Sequence, residues 1–296
     1  MSINHAQLRA FHAVASEGSF TRAAEMLHVT QPTLSGQVKA LEENYGVRLF
    51  DRRGRRVEPT ELGRTLLDVT RRLFSLEAEA DQLLGAARGL RRGHLRIGAD
   101  APYSIIPVVG VFNRRYPGLN LSLAIGNSDH VLQDLFDHRT DVAILANLDV
   151  DPRLFAIPFQ HDRLIVFVDC KHPWARRRTV RLAELAGQRF ILRELGSTTR
   201  RIFETALARA GIELGEVMEI GSREAVREAV AAGLGIGVVA QAEFGQDDRI
   251  RALQVTDADL ESVEYVVCLA ERQDLRIVRA FLDIVREQAA ARNSAG

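Results

Sequence analysis

Apolar residues near the N-terminus recur at helical spacing. Leu8, Phe11 and Ala15 share one face of the segment 5–17, which ends at Gly18, so a first helix closed by a glycine is predicted. A short second helix follows, with the hydroxyls of Ser19 and Thr21 at its start and Ala23, Ala24 and Leu27 inside. The paired alanines let another helix approach closely. His28-Val29 reads as a turn and Thr30 as the next cap, and Pro32 falls in the first turn of a third helix, where its missing N–H is harmless. Leu34, Val38 and Leu41 recur at i, i+4 and i+7 and give that helix one buried stripe. Its opposite side carries Gln31, Thr33, Ser35, Gln37 and Lys39.

Two readings fit this hairpin. It is either an αα-hairpin with a solvated polar face or a helix-turn-helix whose third helix meets base edges in the major groove. The next stretch favours the second reading. Val47 to Val57 reads as two short strands turned at Gly54, with Arg52, Arg53, Arg55 and Arg56 at the tip, a wing suited to gripping phosphates.

From Thr60 to Leu90 the period changes. Leu62, Leu66, Val69, Leu73, Leu76, Ala80, Leu83, Ala87 and Leu90 alternate in steps of four and three, a heptad seam that predicts a two-stranded coiled coil. The alternative is an amphipathic helix packed on its own core. The dimer is favoured because the segment lies between two domains and shows no local core.

Beyond a hinge at Gly89 to Gly93, strands and helices alternate. Strands are predicted at 94–98, 119–125 and 142–145, with helices at 104–116 and 128–137 between them. This βαβαβ order implies a parallel sheet. Strands at 155–158 and 164–168 lead into a second lobe, with a short helix at 182–185, strands at 189–193, 217–220 and 236–239, and helices at 198–210 and 222–232. A strand at 263–270 and an amphipathic helix at 275–290 close the chain. Gly233, Gly235 and Gly237 follow a helix and precede a strand, the reverse of a dinucleotide fingerprint. A helix C-cap and close strand packing explain them better.

Composition narrows the function. The 296 residues suit about two domains, and 46% hydrophobic with 26% charged residues describes a globular chain. With a formal net charge of +0, nucleic-acid binding requires a local basic patch, which the wing supplies, and neutrality near pH 7 predicts modest solubility. Cys170 and Cys268 lie in apolar, strand-like surroundings and are expected as buried, reduced thiols. The mixed, polar start Met1 to Leu8 is no signal peptide, and the apolar run Ala229 to Ala242 is too short and glycine-rich for a bilayer. A cytoplasmic location is expected. His5 and His12 have no partner at metal spacing, no serine sits in a nucleophile elbow, and no Cys/His cluster has zinc spacing. No metal, cofactor or catalytic constellation is therefore expected.

The run A-F-H-A-V-A-S-E-G-S-F-T-R-A-A-E-M-L-H-V-T-Q-P-T-L-S-G-Q-V-K-A-L-E-E-N-Y-G-V-R-L-F-D-R closely resembles the N-terminal signature of LysR-type transcriptional regulators. The resemblance is dense over about the first sixty residues and looser beyond them. It implies a sequence-specific DNA-binding regulator and not an enzyme. The implied fold is α/β with an N-terminal all-α winged helix-turn-helix, a long linker helix, and two Rossmann-like lobes resembling periplasmic binding proteins. The expected domains are 1–59 for the winged helix-turn-helix, 60–93 for the dimerisation helix and hinge, and 94–296 for effector binding, with lobe I at 94–163 and 267–296 and lobe II at 164–266.

The candidate DNA-binding residues are Thr21, Thr30, Gln31, Pro32, Thr33, Ser35, Lys39, Arg52 and Arg53. Gly36 departs from the family's pattern, which often places a long polar side chain there. The dimerisation residues are Leu62, Leu66, Val69, Leu73, Leu76 and Leu83. The resemblance implies double-stranded DNA, a small-molecule effector, a second copy of the chain in a dimer or dimer of dimers, and RNA polymerase as partners, and no membrane. A solute-binding protein or enzyme with a helical appendage is the competing class. It would need an export signal or a catalytic constellation, and neither is legible.

In open α/β sheets, ligands bind beyond the carboxyl ends of strands, against helix N-termini. Three loops qualify: 99–104 with Asp100, Tyr103 and Ser104; 126–128 with Asn127 and Ser128; and 194–200, where Ser197, Thr198 and Thr199 precede a helix. The last suits an anion, or else one hydroxyl simply caps the helix. Asp100 either pairs with a ligand ammonium or caps the helix starting near Pro102. The stretches D-A-P-Y, I-L-R-E-L-G-S-T-T-R and S-R-E-A-V-R-E-A-V-A-A-G-L-G-I-G-V-V resemble a subgroup associated with 2-aminoethylphosphonate catabolism, which implies an anionic effector that also carries an amine.

Overall fold

The computed structural model describes residues 3–51, 57–85 and 93–293, excluding the side chains of 78, 79, 81–85 and 293. It divides into two compact units, with residues 1–87 in the first and the bulk of 88–296 in the second.

In the first unit, α1 (His5–Glu17) is capped by Asn4, whose side chain accepts from Ala6 and Gln7, and it ends on Gly18 at φ +60°. Ser19 caps α2 (Phe20–Met26), which places Thr21 inside the helix and not at its cap. His28, at φ +55°, makes the turn. Thr30 then caps α3 (Gln31–Tyr45), which Gly46 closes. Phe11, Ala23, Leu34 and Val38 are fully buried at the junction of the three helices. The strands β1 (Phe50–Asp51) and β2 (Glu58–Pro59) pair antiparallel. Glu42 steadies their base by accepting the N–H groups of Leu49 at 2.7 Å and Phe50 at 3.3 Å. The predicted wing tip, with Arg52, Arg53 and Gly54, lies outside the described residues.

The long helix α4 (Glu61–Gly85) corrects one expectation. It does have a local core: Leu67 and Thr70 are buried, Phe74 packs beside them, and Arg9 of α1 pairs with Glu77 at 2.7 Å. The seam falls on another face. Leu62, Val69, Leu73 and Leu76 are exposed by 49%, 54%, 38% and 63%, so the stripe read as a dimer contact is uncovered in the single chain. Leu66 is half-buried, and the Leu83 side chain lies outside the described residues.

In the second unit, β3 (His94–Ala99), α5 (Pro102–Arg115), β4 (Asn120–Ile125), α6 (Ser128–Phe136) and β5 (Val142–Ala146) form the parallel βαβαβ unit, with strand order β4-β3-β5. The sequence suggested two strands at 155–158 and 164–168. They are one strand, β6 (Leu154–Asp169), because Gln160 to Arg163 bond across to a neighbouring strand instead of turning.

The second lobe contains β7 (Thr179–Val180), a 3₁₀ turn at Leu182–Leu185, β8 (Phe190–Leu192), α7 (Thr198–Ala210), β9 (Val217–Glu219), α8 (Arg223–Ala231), β10 (Ile236–Ala240) and β11 (Ile250–Val255). Neither β7 nor β11 was expected. The final strand, β12 (Glu261–Leu269), pairs with β5 and with the first half of β6, and α9 (Arg276–Asn293) covers that sheet. The first lobe therefore regains the chain at Glu261, earlier than the expected boundary at 267, because the polar start of β12 is already laddered to β6. The second half of β6 pairs with β10 and β11. One strand thus runs through both lobes of a ten-stranded sheet.

Each lobe buries apolar side chains on both sheet faces. Phe112 and Phe281 lie against one face of the first lobe and Leu135 against the other, while Phe203 and Val230 do the same in the second. Gly237 has its predicted packing role, since a Cβ there would lie 2.4 Å from Phe167 Cζ. Cys268 is buried and its thiol is pushed up to about 12 by burial, whereas Cys170 is exposed just past β6, contrary to expectation. Among the described residues no helix is long and apolar enough to cross a membrane.

Candidate functional site

Helix α3 sorts its side chains by period. Leu34, Val38 and Leu41 enter the core, leaving Gln31, Pro32, Thr33 and Lys39 exposed and Ser35 and Gln37 half-exposed on the outside. The Thr30 hydroxyl lies 2.8 Å from that of Thr33, so both are partly engaged in the cap. Thr21 is exposed one helix away. Gly36 sits on this outer face with nothing within 4 Å of an added Cβ. The result is a run of short hydrogen-bonding groups at the N-terminal half of a helix, standing clear of its own core.

The second site is the cleft between the two lobes of the second unit, a space of about 380 Å³ including its mouth. Asp100, Asn127, Ser128, Ser197, Thr198 and Thr199 line it, as the sequence placed them. Tyr103 does not; it is exposed and faces a neighbouring cavity. Ser104 is buried, donates to the Ala101 carbonyl at 3.2 Å and hydrogen-bonds Glu264. These two residues ride on α5, whose helical turn carries them off the cleft wall.

A chain of hydroxyls ties the lobes together. Thr198 Oγ1 donates to Ser128 Oγ at 2.8 Å, and Ser128 donates to Asp100 Oδ2 at 2.5 Å, which also accepts from the Ala146 N–H at 3.1 Å. Arg223 of the second lobe donates to the Asp100 carbonyl at 2.7 Å. Gly196, at φ +88°, lets the loops meet, since a Cβ there would lie 3.0 Å from Asp129 Oδ2. Asp100 does not cap α5, whose N-cap is Ala101 without a side-chain bond. Ser197 occupies the N-cap of α7 yet makes no capping bond with its side chain, so its hydroxyl is not explained by capping. Asn127, in contrast, caps α6 by accepting from the His130 N–H at 2.9 Å.

Five further polar or charged residues line it: Arg193, Arg223, Glu243, Ser262 and Glu264. Arg193 follows β8 and Arg223 opens α8 after β9, both at the carboxyl ends of strands where ligands collect. Glu264 was detectable as a lone charge inside the apolar run of β12. Glu243 and Glu264 are only 8% and 4% exposed. Burial raises both carboxyls to about 7, with Arg223 opposing the rise. Burial also raises Asp100 against the hydrogen bonds of Ser128 and Ala146. Arg223 Nε lies 2.7 Å from Glu243 Oε2, while Arg193 is occupied by Glu194 at 2.7 Å. Hydroxyl donors at a helix start and buried carboxylate acceptors thus line the same cleft.

Residues 5–64 match the bacterial regulatory helix-turn-helix protein, lysR family, and residues 88–290 match the LysR substrate binding domain. The chain is 32% identical over 286 residues to the HTH-type transcriptional activator CmpR of Synechocystis sp., covering 94% of this chain and 93% of that protein. It is 34% identical over 291 residues to a RuBisCO operon transcriptional regulator of Acidithiobacillus ferrooxidans, covering 96% and 94%. Among solved structures, the Synechocystis CcmR regulatory domain in complex with 2-PG superposes with a TM-score of 0.62 at 28% identity, over 67% of this chain and 97% of that one. Full-length CbnR with its target DNA gives 0.71 at 24% identity over 97% and 100%, a likeness of fold. A helix-turn-helix with an outward polar helix, a two-lobed α/β domain and these matches together show that the chain belongs to the LysR family of DNA-binding transcriptional regulators.

Proposed function

We propose that this regulator reads DNA with the outer face of α3 and responds to a small anionic metabolite held in the interlobe cleft. Gln31, Pro32, Thr33, Ser35 and Lys39 would meet base edges or adjoining phosphates, Thr21 and Thr30 would support them, and Arg52 and Arg53 of the wing would hold the backbone. The uncovered stripe of Leu62, Val69, Leu73 and Leu76, continued in sequence by Leu66 and Leu83, would join two copies so that two recognition helices face two half-sites. The anion would lie at the start of α7 against Ser197, Thr198, Thr199 and Ser128, with 2-aminoethylphosphonate as the first compound to test.

The observation that carries the effector reading is the N-cap hydroxyl of Ser197, buried in the cleft yet making no capping bond. The relatives named for RuBisCO operons and the 2-PG complex of the CcmR domain favour a second reading, a phosphorylated acid without an amine. Calorimetry of the full-length protein with 2-aminoethylphosphonate and with 2-PG separates them. Binding of neither would overturn the anionic reading. On DNA, Arg53→Ala should weaken all sequences and flatten the salt slope, whereas Gln31→Ala should relax specificity at one base step. Equal effects of both changes on specific and random duplex would refute this division.

A further inference from the structure

Resting on the reading of the cleft as the effector site, we infer that it contains a separate cation subsite, formed by Asp100, Glu243 and Glu264, which recognises a protonated amine. The effector class is then zwitterionic: a short chain with an acid at one end and an ammonium at the other.

The cleft carries more carboxylates than free guanidiniums. Asp100, Glu243 and Glu264 line the cleft, and Asp162 lies close enough to raise both glutamates. Two guanidiniums also line it, but Arg193 is held by Glu194, with bonds at 2.7 and 2.8 Å. Arg223 alone remains, shared between Glu243 and the Asp100 carbonyl. Three carboxylate oxygens, Asp100 Oδ1, Glu264 Oε2 and Glu243 Oε2, have no hydrogen-bond donor among the described residues, the last having only its ion pair with Arg223, although Asp100 is 5%, Glu264 4% and Glu243 8% exposed. Buried anionic oxygens without donors must either take up protons or recruit a cation.

The chemistry of the wall selects the cation. Among the described residues no three His, Cys, Asp or Glu side chains come close enough to hold one metal ion, whereas the longer N–H···O contacts of an ammonium span carboxylates set further apart. An ammonium carries three N–H donors, one for each of these oxygens. The same cleft offers the Ser197 and Thr199 hydroxyls at the start of α7, suited to an acid group and linked to Asp100 through Thr198 and Ser128. Glu264 stands on β12 of the first lobe and Glu243 follows β10 of the second, so the ammonium would be gripped from both lobes. A space of about 380 Å³ with its mouth suits a ligand of few heavy atoms.

Paired analogues isolate the amine from the acid. Calorimetry on the full-length protein at pH 7 would compare 2-aminoethylphosphonate with ethylphosphonate, and β-alanine with propionate. For whichever acid group fits, the amine-bearing member should bind at least about tenfold tighter, the yield of one charge-assisted pairing. Glu264→Gln should bring that ratio close to one without weakening the desamino member. A desamino compound binding as tightly as its amine, or an undiminished ratio in Glu264→Gln, overturns the cation subsite and leaves the anionic effector site standing. Silence from all four compounds with binding of 2-PG does the same, whereas silence from all five overturns both readings.

Discussion

Replacing Glu264 by Gln should stabilise the ligand-free protein at neutral pH, although the residue sits in the binding cleft. Burial raises this carboxyl from 4.5 to about 7. Between those values the folded protein keeps a proton that the unfolded chain has already released, so stability falls as pH rises through this window. Above about 7 the penalty is complete, at about 3 kcal/mol from 1.36 kcal/mol per pH unit. Glutamine keeps the size and an acceptor for Ser104 but cannot ionise. Removing this charge also relieves Glu243, which Glu264 helps to raise. Allowing for the neighbour that must repack, the gain at pH 8 should be about 1–3 kcal/mol, or roughly 3–10 °C in Tm for a domain of this size. At pH 4.5 both forms are neutral and the two proteins should melt together. Calorimetric scans of wild type and variant at pH 4.5 and 8 measure the difference. A variant less stable at pH 8, or equally stabilised at both pH values, would refute the reasoning.

Three other outcomes follow from particular contacts. Gly63→Ala should destabilise the N-terminal unit by about 1–3 kcal/mol, because its Cβ would lie 2.2 Å from the Leu49 carbonyl oxygen; urea unfolding with no loss would contradict that contact. Gly36→Ala, with open space around the new Cβ, should stabilise α3 by up to about 1 kcal/mol, visible as slower amide exchange, and exchange that is unchanged or faster counts against it. Introducing Glu at both Val69 and Leu76 should shift sedimentation from dimer or larger toward monomer with the fold intact by circular dichroism, and an unchanged assembly would place the interface elsewhere.

What was legible in the sequence was local. The caps at Ser19 and Thr30, the stop at Gly18 and the span of α7 all depend on neighbouring residues, and each is where the pattern placed it. What was missed depends on partners distant in sequence. The polar run Gln160 to Arg163 looks like a turn until its ladder to Glu261–Glu264 is known. The strand β11 buries Ile250, Leu253 and Val255 in a broken alternation that no period-2 template matches. Leu67, Thr70 and Phe74 share α4 with the heptad seam, and only the position of α1 shows that the helix has two packing faces. The cleft behaves the same way. Its hydroxyls sit together in two loops and were read from them, while Arg193, Arg223, Glu243 and Glu264 come from four separate elements. Tyr103 and Ser104 were included because they neighbour Asp100 in sequence, and the turn of α5 takes them away.

The same geometry bears on how binding could become a signal. A ligand shifts an equilibrium only by the difference in its affinity for the two states. An acid group held by Ser197 to Thr199 of the second lobe and Ser128 of the first would already favour lobes that lie close. The chain Thr198–Ser128–Asp100 and the Arg223 bond to Asp100 already join the lobes, but they bring a second-lobe carboxylate, Glu243, toward Asp100 and Glu264 of the first. Like charges brought together oppose the closed arrangement. An ammonium placed among them reverses the sign of that contribution, and it does so only when both lobes are close. A zwitterion with its acid between α7 and Ser128 would therefore favour closure more than the acid alone, because the amine adds a second contact that exists only when both lobes are close.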